Sequence, residues 1–196
     1  MHEPADAPEI GPVLPPDELL WCHSFDTALG RCGLVWSGQG IVASLLPDAS
    51  PARLQRRYPR AQPVTVLPAD IARAVEAIRA LFAGEPRDLG DIVLDERGIP
   101  EFRRQVHALT RAIPPGHTRT YGEIANALGQ PGAARAVGRA EGDNPYPPIV
   151  PCHRVMGAGG DPTGFSSPGG VDMKRRMLLI EARAAGQLAG EQQPLF

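Results

Sequence analysis

The sequence predicts an α/β protein: a small N-terminal domain with an antiparallel β-sheet and a covering helix, followed by a mainly helical C-terminal domain. Apolar runs of strand length, separated by glycine turns, fill residues 19–46. An apolar stripe at helical spacing follows at residues 70–82, and the helical pattern returns from residue 102 onward. We therefore expect a scaffold domain at residues 1–97, a second domain at residues 98–186 and a flexible tail at 187–196.

The N-terminal half is expected to be a small meander. Its predicted strands cover 19–25, 32–37, 41–46 and, further along the chain, 91–95. Residues 52–58 can form a short helix, and Asp70 is expected to cap a longer helix that ends at Gly84. Because no residue of this half carries recognisable chemistry, we interpret it as a scaffold.

The C-terminal half is predicted to contain two short helices joined by a tight turn. A longer helix comes first, with its apolar stripe at Phe102, Val106, Leu109 and Ile113. Thr120 and Glu123 then form a capping-box pattern at the start of the next helix. A turn at 129–132 leads into a second short helix over 133–140. The pair predicts a helix-turn-helix, although any two helices that meet at a corner give the same pattern.

The second of these short helices is rich in small residues. Its accessible positions hold Ala133, Ala134, Gly138 and Ala140, together with Arg135 and Arg139. A helix that reads base edges in the major groove needs long polar side chains, whereas small side chains let a helix backbone approach a narrow groove. This composition favours sequence-tolerant binding in the minor groove of DNA, with one inserted side chain.

Charge is unevenly distributed along the chain. The 196 residues carry a net charge of −2, but residues 102–154 hold seven arginines against three acidic residues, a local balance of +4. A basic region on a nearly neutral protein fits a surface that faces nucleic acid. A solvated arginine face is the alternative, and the arginine-rich composition makes any single arginine less informative.

The three cysteines, Cys22, Cys32 and Cys152, form an odd set that argues against a disulfide framework. Residues 1–16 are acidic and proline-rich, so we expect them to be flexible and not a secretory signal. No apolar run reaches membrane-spanning length. These features predict a reducing, cytoplasmic location. Cys22, His23 and Cys32 could meet across the first hairpin, but their spacing matches no strong zinc signature, so no metal is predicted.

A thiol and an imidazole are adjacent at Cys152 and His153. A thiol attacks only as thiolate, which a neighbouring base or cation favours. Adjacent side chains of an extended segment point to opposite sides, so His153 could act on Cys152 only through a bend or a bridging water. On the dipeptide alone, a buried cysteine beside a chance histidine is an equal alternative.

The surrounding sequence resembles the O6-alkylguanine-DNA alkyltransferases. The resemblance rests on the blocks Arg135-Ala136-Val137-Gly138, Asn144-Pro145 and Pro151-Cys152-His153-Arg154-Val155. Members of this family flip O6-alkylguanine out of duplex DNA and move the alkyl group irreversibly to their own cysteine, once per molecule. The resemblance implies a direct-reversal DNA repair methyltransferase that binds double-stranded DNA in the minor groove and needs no cofactor. We expect it to be a monomer in solution.

The resemblance also implies chemical roles for single residues. Cys152 is the nucleophile, His153 receives its proton through water, and Glu181 orients His153. Tyr121 donates to the purine ring, and Asn144 ties the helix-turn-helix to the cysteine loop. From the residues alone, a packing role for Tyr121, a turn at Asn144 and a solvated position for Glu181 stay open. Arg154 is expected to hold the loop rather than to touch DNA.

DNA and substrate contacts follow from the same resemblance. Arg135 is implied to take the place of the extruded base, with a phosphate contact or a surface ion pair as the alternatives. The expected DNA-binding residues are Thr120, Tyr121, Ala133, Ala134, Arg135 and Gly138. The expected substrate pocket is lined by Tyr121, Val155, Met156, Phe165 and Ser166.

The sequence departs from the family pattern at two places. His107 stands where an aromatic residue, often tryptophan, is expected. The loop 156–170 has Phe165 rather than tyrosine, and Ser166-Ser167-Pro168 makes it about two residues longer than the usual form. We expect the longer, glycine-rich loop to close over the base and to leave room for bulky alkyl groups.

Two other classes of protein would use similar residues. Alkyltransferase-like proteins bind such lesions without repairing them, but they lack the cysteine that is present here as Cys152. A cysteine hydrolase would need an oxyanion hole and would leave the thiol unmodified after turnover.

Overall fold

The structure is a computed structural model that describes residues 11–47, 49–162, 165–166 and 169–186. Its strands are β1 (Leu20–Thr27), β2 (Gly30–Ser37), β3 (Gly40–Leu45), β4 (Ala61–Pro63), β5 (Arg119–Thr120) and β6 (Val155–Met156). Its helices are α1 (Pro51–Arg57), α2 (Ala69–Phe82), α3 (Glu101–Arg111), α4 (Tyr121–Ala127), α5 (Ala134–Gly142) and α6 (Gly170–Ala184). Short 3-10 turns lie at Cys152–Arg154 and Ala158–Gly160. A sheet followed by a helical half confirms the predicted fold class.

The N-terminal sheet has the strand order β3-β2-β1-β4. The three strands predicted for the meander are present, and β2 pairs antiparallel with both β1 and β3. The sequence did not predict β4, which extends the sheet parallel to β1 with Leu20 opposite Ala61. A three-residue strand that ends in proline carries little strand signal, so only the tertiary arrangement reveals it.

The strand predicted at residues 91–95 is wrong. This segment makes only an isolated bridge to β3, in which Ile41 N donates to Val93 O at 2.9 Å and Asp95 N donates to Ile41 O at 2.8 Å. Gly40 permits this approach, because a Cβ atom there would lie 2.8 Å from Val93 O, at a φ of +143°. The segment therefore crosses the start of β3 without joining the sheet.

Cys22 and Cys32 lie on opposite faces of the sheet. The register of β1 and β2 places Cys22 opposite Val35 and Cys32 opposite Phe25. Cys22 and Cys32 accordingly belong to different hydrophobic clusters. The expectation that both cysteines could meet with His23 across the hairpin is wrong, because side chains on opposite faces of a sheet cannot bind the same metal ion. Among the described residues, no group of His, Cys, Asp or Glu is arranged to hold a metal ion.

Helix α2 covers one face of the sheet, as predicted. Its buried residues are Ile71, Ala74, Val75, Ile78, Leu81 and Phe82. The helix begins after Pro68, so Asp70 lies in the first turn and not at the cap, where its charge still complements the helix dipole. Gly84, at a φ of +93°, follows the last turn and ends the helix as expected.

One hydrophobic cluster joins the two halves of the chain. Its members beyond the sheet and α2 are Leu89, Tyr146, Ile149, Val150, Met173 and Met177. Hydrogen bonds also cross this boundary: Tyr146 Oη donates to Asp95 O at 2.6 Å, Ser44 N donates to Pro145 O at 2.8 Å, and Nη2 of Arg111 donates to Ile92 O at 2.8 Å. The segment that leads to Cys152 is thereby fixed on the N-terminal sheet.

The helical half has a further core of its own. Its buried members are Val106, Ile113, Ile124, Ala125, Val137, Ala140 and Val155. The predicted capping box is present, with Glu123 N donating to Thr120 Oγ1 at 3.1 Å and Thr120 N donating to Glu123 Oε2 at 2.6 Å. Helices α4 and α5 form the helix-turn-helix, and α5 extends to Gly142, two residues beyond the predicted end.

The described start of the chain is held against the body of the protein. Val13 N donates to Arg97 O at 3.0 Å, and Arg60 Nη1 donates to Pro15 O at 3.1 Å. Residues 1–10 of the segment expected to be flexible, and the predicted tail at 187–196, lie outside the described residues. Within the described ranges, no helix is long and apolar enough to cross a membrane.

Candidate active site

Cys152 lies in a bend of the chain. The 3-10 turn Cys152–Arg154 is closed by a hydrogen bond from Arg154 N to Pro151 O of 2.8 Å. Side chains in such a turn do not alternate between two faces, so the objection that applies to an extended Cys-His pair does not hold here. β6 follows directly and pairs with β5 in parallel, with Thr120 opposite Met156. This pairing brings the start of α4 next to the cysteine loop.

His153 and Glu181 form a buried pair. Their exposed fractions are 0% and 2%, and Nε2 of His153 lies 2.8 Å from Oε1 of Glu181. A carboxylate only accepts hydrogen bonds, so Nε2 carries the proton and donates it. Burial lowers the pKa of His153, against the opposing effect of Glu181, so the imidazole is neutral near neutral pH. Its Nδ1 is then unprotonated, and it has no hydrogen-bond partner among the described residues.

Arg154 and a backbone amide hold Glu181 in place. Nε of Arg154 donates to the two carboxylate oxygens at 3.2 and 3.0 Å, and Nη2 donates to Oε1 at 2.9 Å. Nη1 donates to Ile113 O at 2.6 Å, and Gly116 N donates to Glu181 Oε2 at 3.2 Å. Burial alone would raise the pKa of Glu181, but His153 and Arg154 lower it to about 2. Glu181 is therefore a fixed anion, and Arg154 holds the loop.

Cys152 is a buried, protonated thiol. Its exposed fraction is 7%, and burial raises its pKa to about 12. The carboxylate of Glu141 raises this pKa further, while a hydrogen bond with the Asn144 side chain and the charge of Lys174 lower it. Attack by Cys152 at neutral pH therefore requires a base that takes its proton.

Asn144 connects the end of α5 to the approach to Cys152. Its Nδ2 donates to Val150 O at 2.8 Å, and its Oδ1 accepts from Tyr146 N at 2.9 Å. The side chain therefore forms the turn that an Asn-Pro sequence signals. The same side chain lowers the pKa of the Cys152 thiol, so one amide acts on both the turn and this thiol.

Tyr121 opens α4 between α5 and α6. Nζ of Lys174 lies 5.9 Å from the centre of its ring, and a Cβ atom at Gly138 would lie 3.9 Å from the ring. Nζ of Lys174 also donates to Val155 O at 2.6 Å. Burial raises the pKa of the Tyr121 hydroxyl to about 12, so this hydroxyl keeps its proton and can donate.

The residues predicted to contact DNA lie at the starts of the two short helices. Thr120 caps α4, and Ala133 occupies the position before α5. Arg135 is exposed, while Ala134 and Gly138 are partly exposed. The surface at the start of α5 is thus built from small side chains with one long cation. Ala140, which was predicted to be accessible, is instead buried in the core of the helical half.

The residues predicted to line the substrate pocket differ in their surroundings. Val155 is fully buried in the core of the helical half and faces Lys174 through its carbonyl oxygen, and Met156 is 8% exposed. Phe165 packs against the cluster that joins the two halves, and the exposed Ser166 donates from Oγ to Gly142 O at 2.8 Å. The predicted insertion falls partly outside the described residues, which omit Thr163, Gly164, Ser167 and Pro168.

Two charged residues of the site received no chemical role from the sequence. Lys174 and Glu141 are 0% and 5% exposed, and both influence the thiol of Cys152. Thr110 Oγ1 donates to Glu141 Oε1. Glu141 precedes Gly142 and Asp143, so its sequence context is typical of a surface residue and gave no sign of burial. For Lys174 the sequence held one sign of a special role, because it is the single lysine of an arginine-rich chain.

His107 fills the position where the family pattern has an aromatic residue. It is fully buried, its ring meets that of Tyr146 edge-on with 6.2 Å between the centres, and its Nε2 donates to Ala140 O at 3.3 Å. Burial lowers its pKa to about 4, so the ring stays neutral. The departure from the pattern is therefore accommodated as packing.

Fold and site together define a helix-turn-helix protein with a buried cysteine, followed in the chain by an imidazole that is hydrogen-bonded to a fixed carboxylate. The model of the 6-O-methylguanine DNA methyltransferase family, DNA binding domain, matches residues 101–183. A methylated-DNA–protein-cysteine methyltransferase of Mycobacterium bovis is 48% identical over 168 residues, which are 85% of this chain and 95% of the relative. The chain therefore belongs to the 6-O-methylguanine DNA methyltransferase family, and the resemblance predicted from the sequence is confirmed.

Two further comparisons agree. A methylated-DNA–protein-cysteine methyltransferase of Mycolicibacterium paratuberculosis is 53% identical over 116 residues, which are 59% of this chain and 68% of the relative. The crystal structure of Mycobacterium tuberculosis OGT in complex with DNA has a TM-score of 0.67 at 36% identity, covering 83% of this chain and 93% of that one.

Proposed function

We propose that this protein repairs O6-alkylguanine in double-stranded DNA by moving the alkyl group irreversibly to Sγ of its own Cys152, once per molecule. The observation that carries the proposal is the state of His153, which is neutral and buried next to Cys152 in the chain. Its Nε2 donates a hydrogen bond to Glu181, and its Nδ1 has no hydrogen-bond partner among the described residues. This is a nucleophile with a base and an orienting group, in the order that covalent catalysis requires.

DNA is bound, in this proposal, through the start of α5 in the minor groove. The small residues Ala133, Ala134 and Gly138 support a close approach of the helix, because they keep long side chains off this surface. The alkylated base must leave the stack, since its O6 group is otherwise out of reach of a buried thiol. Arg135, exposed on this face, then fills the vacated space.

The chemical step requires one proton transfer and one substitution. The proton of Cys152 passes through a water molecule to Nδ1 of His153, and Glu181 stabilises the imidazolium that forms. The thiolate attacks the alkyl carbon in line, so that a carbon–sulfur bond forms while the carbon–O6 bond breaks and leaves its electron pair on guanine. The guanine anion then takes up one proton and is released as normal guanine.

Tyr121 assists the departure of guanine. Its protonated hydroxyl donates a hydrogen bond to the purine ring where negative charge develops. The thioether left on Cys152 has no easy route back, and the other two cysteines lie on the N-terminal sheet, so each molecule acts once.

The two halves of the chain have different roles in this proposal. Residues 98–186 supply the DNA-binding and transfer residues, and residues 1–97 form a scaffold that holds the segment before Cys152. We infer a monomer that works in the reducing cytoplasm, which the three free thiols favour.

The test is the intact mass of the protein after incubation with a duplex that contains O6-methylguanine. A lasting gain of one methyl group, mapped to Cys152, is expected, together with restored guanine in the DNA. Cys152→Ser should abolish transfer while duplex binding persists, because binding depends on the helix-turn-helix. Duplex binding with no adduct would instead identify a lesion-binding protein, and product formation with an unmodified thiol would identify a hydrolase.

A further inference from the structure

A buried carboxyl group lies on α5, and the proposed reaction does not use it. The carbonyl oxygen of the same residue, Glu141, accepts a hydrogen bond from Asn144 N at 3.3 Å, and Asn144 in turn binds the segment that leads to Cys152. Glu141 is 5% exposed, and its Oε1 accepts a hydrogen bond from Thr110 Oγ1 on α3. Its Oε2 is buried and has no hydrogen-bond partner among the described residues. A half-satisfied buried carboxylate is costly, so its environment must favour it or its proton must be retained.

Glu141 lies on the side of α5 that meets Tyr121. It lies one turn after Gly138, and residues three apart share one face of a helix. Gly138 rests against the ring of Tyr121, and Nζ of Lys174 lies 5.9 Å from the centre of that ring. Glu141 is thus on the face of α5 that meets α4 and α6, and its charge acts on Tyr121, Lys174 and Cys152.

We propose that Glu141 controls how readily Cys152 loses its proton. The buried carboxylate of Glu141, held by Thr110 and balanced by Lys174, opposes ionisation of the thiol, and loss of that carboxylate charge makes the thiolate easier to form. This inference rests on the proposed function only for its consequence in DNA repair, because the thiol of Cys152 can be examined without DNA.

The charge of Glu141 changes close to neutral pH. Burial raises its pKa to about 7, although the Thr110 hydrogen bond and the charge of Lys174 lower it. Below this pH the carboxyl is neutral and leaves Cys152 unaffected. Above it the carboxylate is negative and raises the pKa of Cys152. Glu141 therefore opposes ionisation of the Cys152 thiol only at pH values above its own pKa.

Two titratable groups that face Glu141, the imidazole of His107 and the hydroxyl of Tyr121, do not change charge in the same window. His107, on α3, donates a hydrogen bond to the carbonyl oxygen of Ala140, and its pKa of about 4 keeps it neutral. Arg103 of α3 is paired with Asp143 at 2.8 Å, and the Tyr121 hydroxyl has a pKa of about 12. Burial lowers the pKa of Lys174 on α6, and the negative charges of Cys152, Glu141 and Asp161 oppose this shift only in part.

The test measures the alkylation of Cys152 by iodoacetamide across the pH range, with peptide mapping to separate Cys152 from the other two cysteines. Glu141→Gln removes the charge and keeps the shape. It should react like the unmodified protein at about pH 6 and about threefold to tenfold faster at about pH 8.5, since one pKa unit is a tenfold change in thiolate. Glu141→Asp keeps the charge and should restore most of the original profile.

Two further variants separate this effect from general disturbance. Thr110→Val removes the hydrogen bond that favours the carboxylate, so the pKa of Glu141 rises. It should react faster just above neutral pH and converge with the unmodified protein at higher pH, which keeps the inference testable if Glu141→Gln fails to fold. Glu101→Gln, an exposed charge change at the start of α3, is the matched control and should change nothing.

Two outcomes would overturn the proposal. One is a Glu141→Gln profile parallel to that of the unmodified protein at every pH. The other is an unchanged profile for Thr110→Val. Transfer from an O6-methylguanine duplex should follow the same order of variants. If the thiol responds as expected but no transfer to Cys152 occurs from DNA, the proposed function fails and the role of Glu141 stands.

Discussion

Nε2 of His153 lies 2.8 Å from Oε1 of Glu181, and both side chains are buried. The contact fixes the tautomer of the imidazole, because a carboxylate held as an anion by Arg154 can only accept a hydrogen bond. Nδ1 is therefore the unprotonated nitrogen, and it belongs to the residue that follows Cys152. The basicity of this nitrogen depends on the carboxylate behind it.

Glu181→Gln is expected to slow transfer about tenfold or more, because a neutral amide stabilises the imidazolium less well. Loss of the carboxylate lowers the pKa of His153 further, so the acidic limb of the pH–rate profile moves to lower pH while the plateau falls. Single-turnover rates on an O6-methylguanine duplex across the pH range measure both effects. Glu181→Asp is the matched control for charge. An unchanged profile in Glu181→Gln would remove this residue from the mechanism.

Arg154→Met is expected to lower the free energy of unfolding by about 3–5 kcal/mol, because it leaves the buried Glu181 without its ion pair. In the unmodified protein the pKa of Glu181 is depressed from 4.5 to about 2. Its contribution to stability is therefore present above pH 4.5 and is lost as the pH falls toward 2.

In Arg154→Met this pH-dependent loss should be smaller, because Glu181 is less strongly held as an anion and its folded-state pKa lies nearer to its unfolded value. Denaturant unfolding at a series of pH values measures both effects. Arg154→Lys should recover only part of the loss, since lysine cannot reach both the carboxylate and Ile113 O. Equal stability of all three proteins would mean that the ion pair does not secure the loop.

Arg135→Ala is expected to slow repair in duplex DNA by about tenfold while leaving transfer from a short single strand nearly unchanged, because only the duplex requires a base to leave the stack. Transfer rates on the two substrates give the ratio. Arg139→Ala removes an exposed arginine one turn further along α5 and is the matched control. Equal losses on both substrates would indicate a fold defect instead of a role in base flipping.

Tyr146→Phe is expected to lower the free energy of unfolding by about 1–3 kcal/mol, because the buried carbonyl of Asp95 loses its donor. Tyr146 belongs to the cluster that joins the two halves, so the loss should appear in one cooperative transition. Fluorescence and circular dichroism monitored during denaturant unfolding check this. Two separate transitions would show that the halves unfold independently.

The prediction from sequence was most accurate where the signal is local. The capping box of Thr120 and Glu123 was correctly predicted, because its two reciprocal bonds depend on residues three apart. β4 and the bridge at residues 91–95 were not, because the pairing partners of a short segment are set by distant residues.

The sequence by itself determined the family, the adjacency of Cys152 and His153, and a sheet followed by a helical half. The block around Cys152 and the block around Arg135 sufficed, because they combine rare residues at fixed spacing. Only the tertiary structure decided the charges. Arg154 and Glu141 carry charged side chains, yet both are buried, because α6 and α3 close over them. Burial and pairing set the proton affinity of the thiol and the imidazole, and both depend on contacts between residues far apart in the chain.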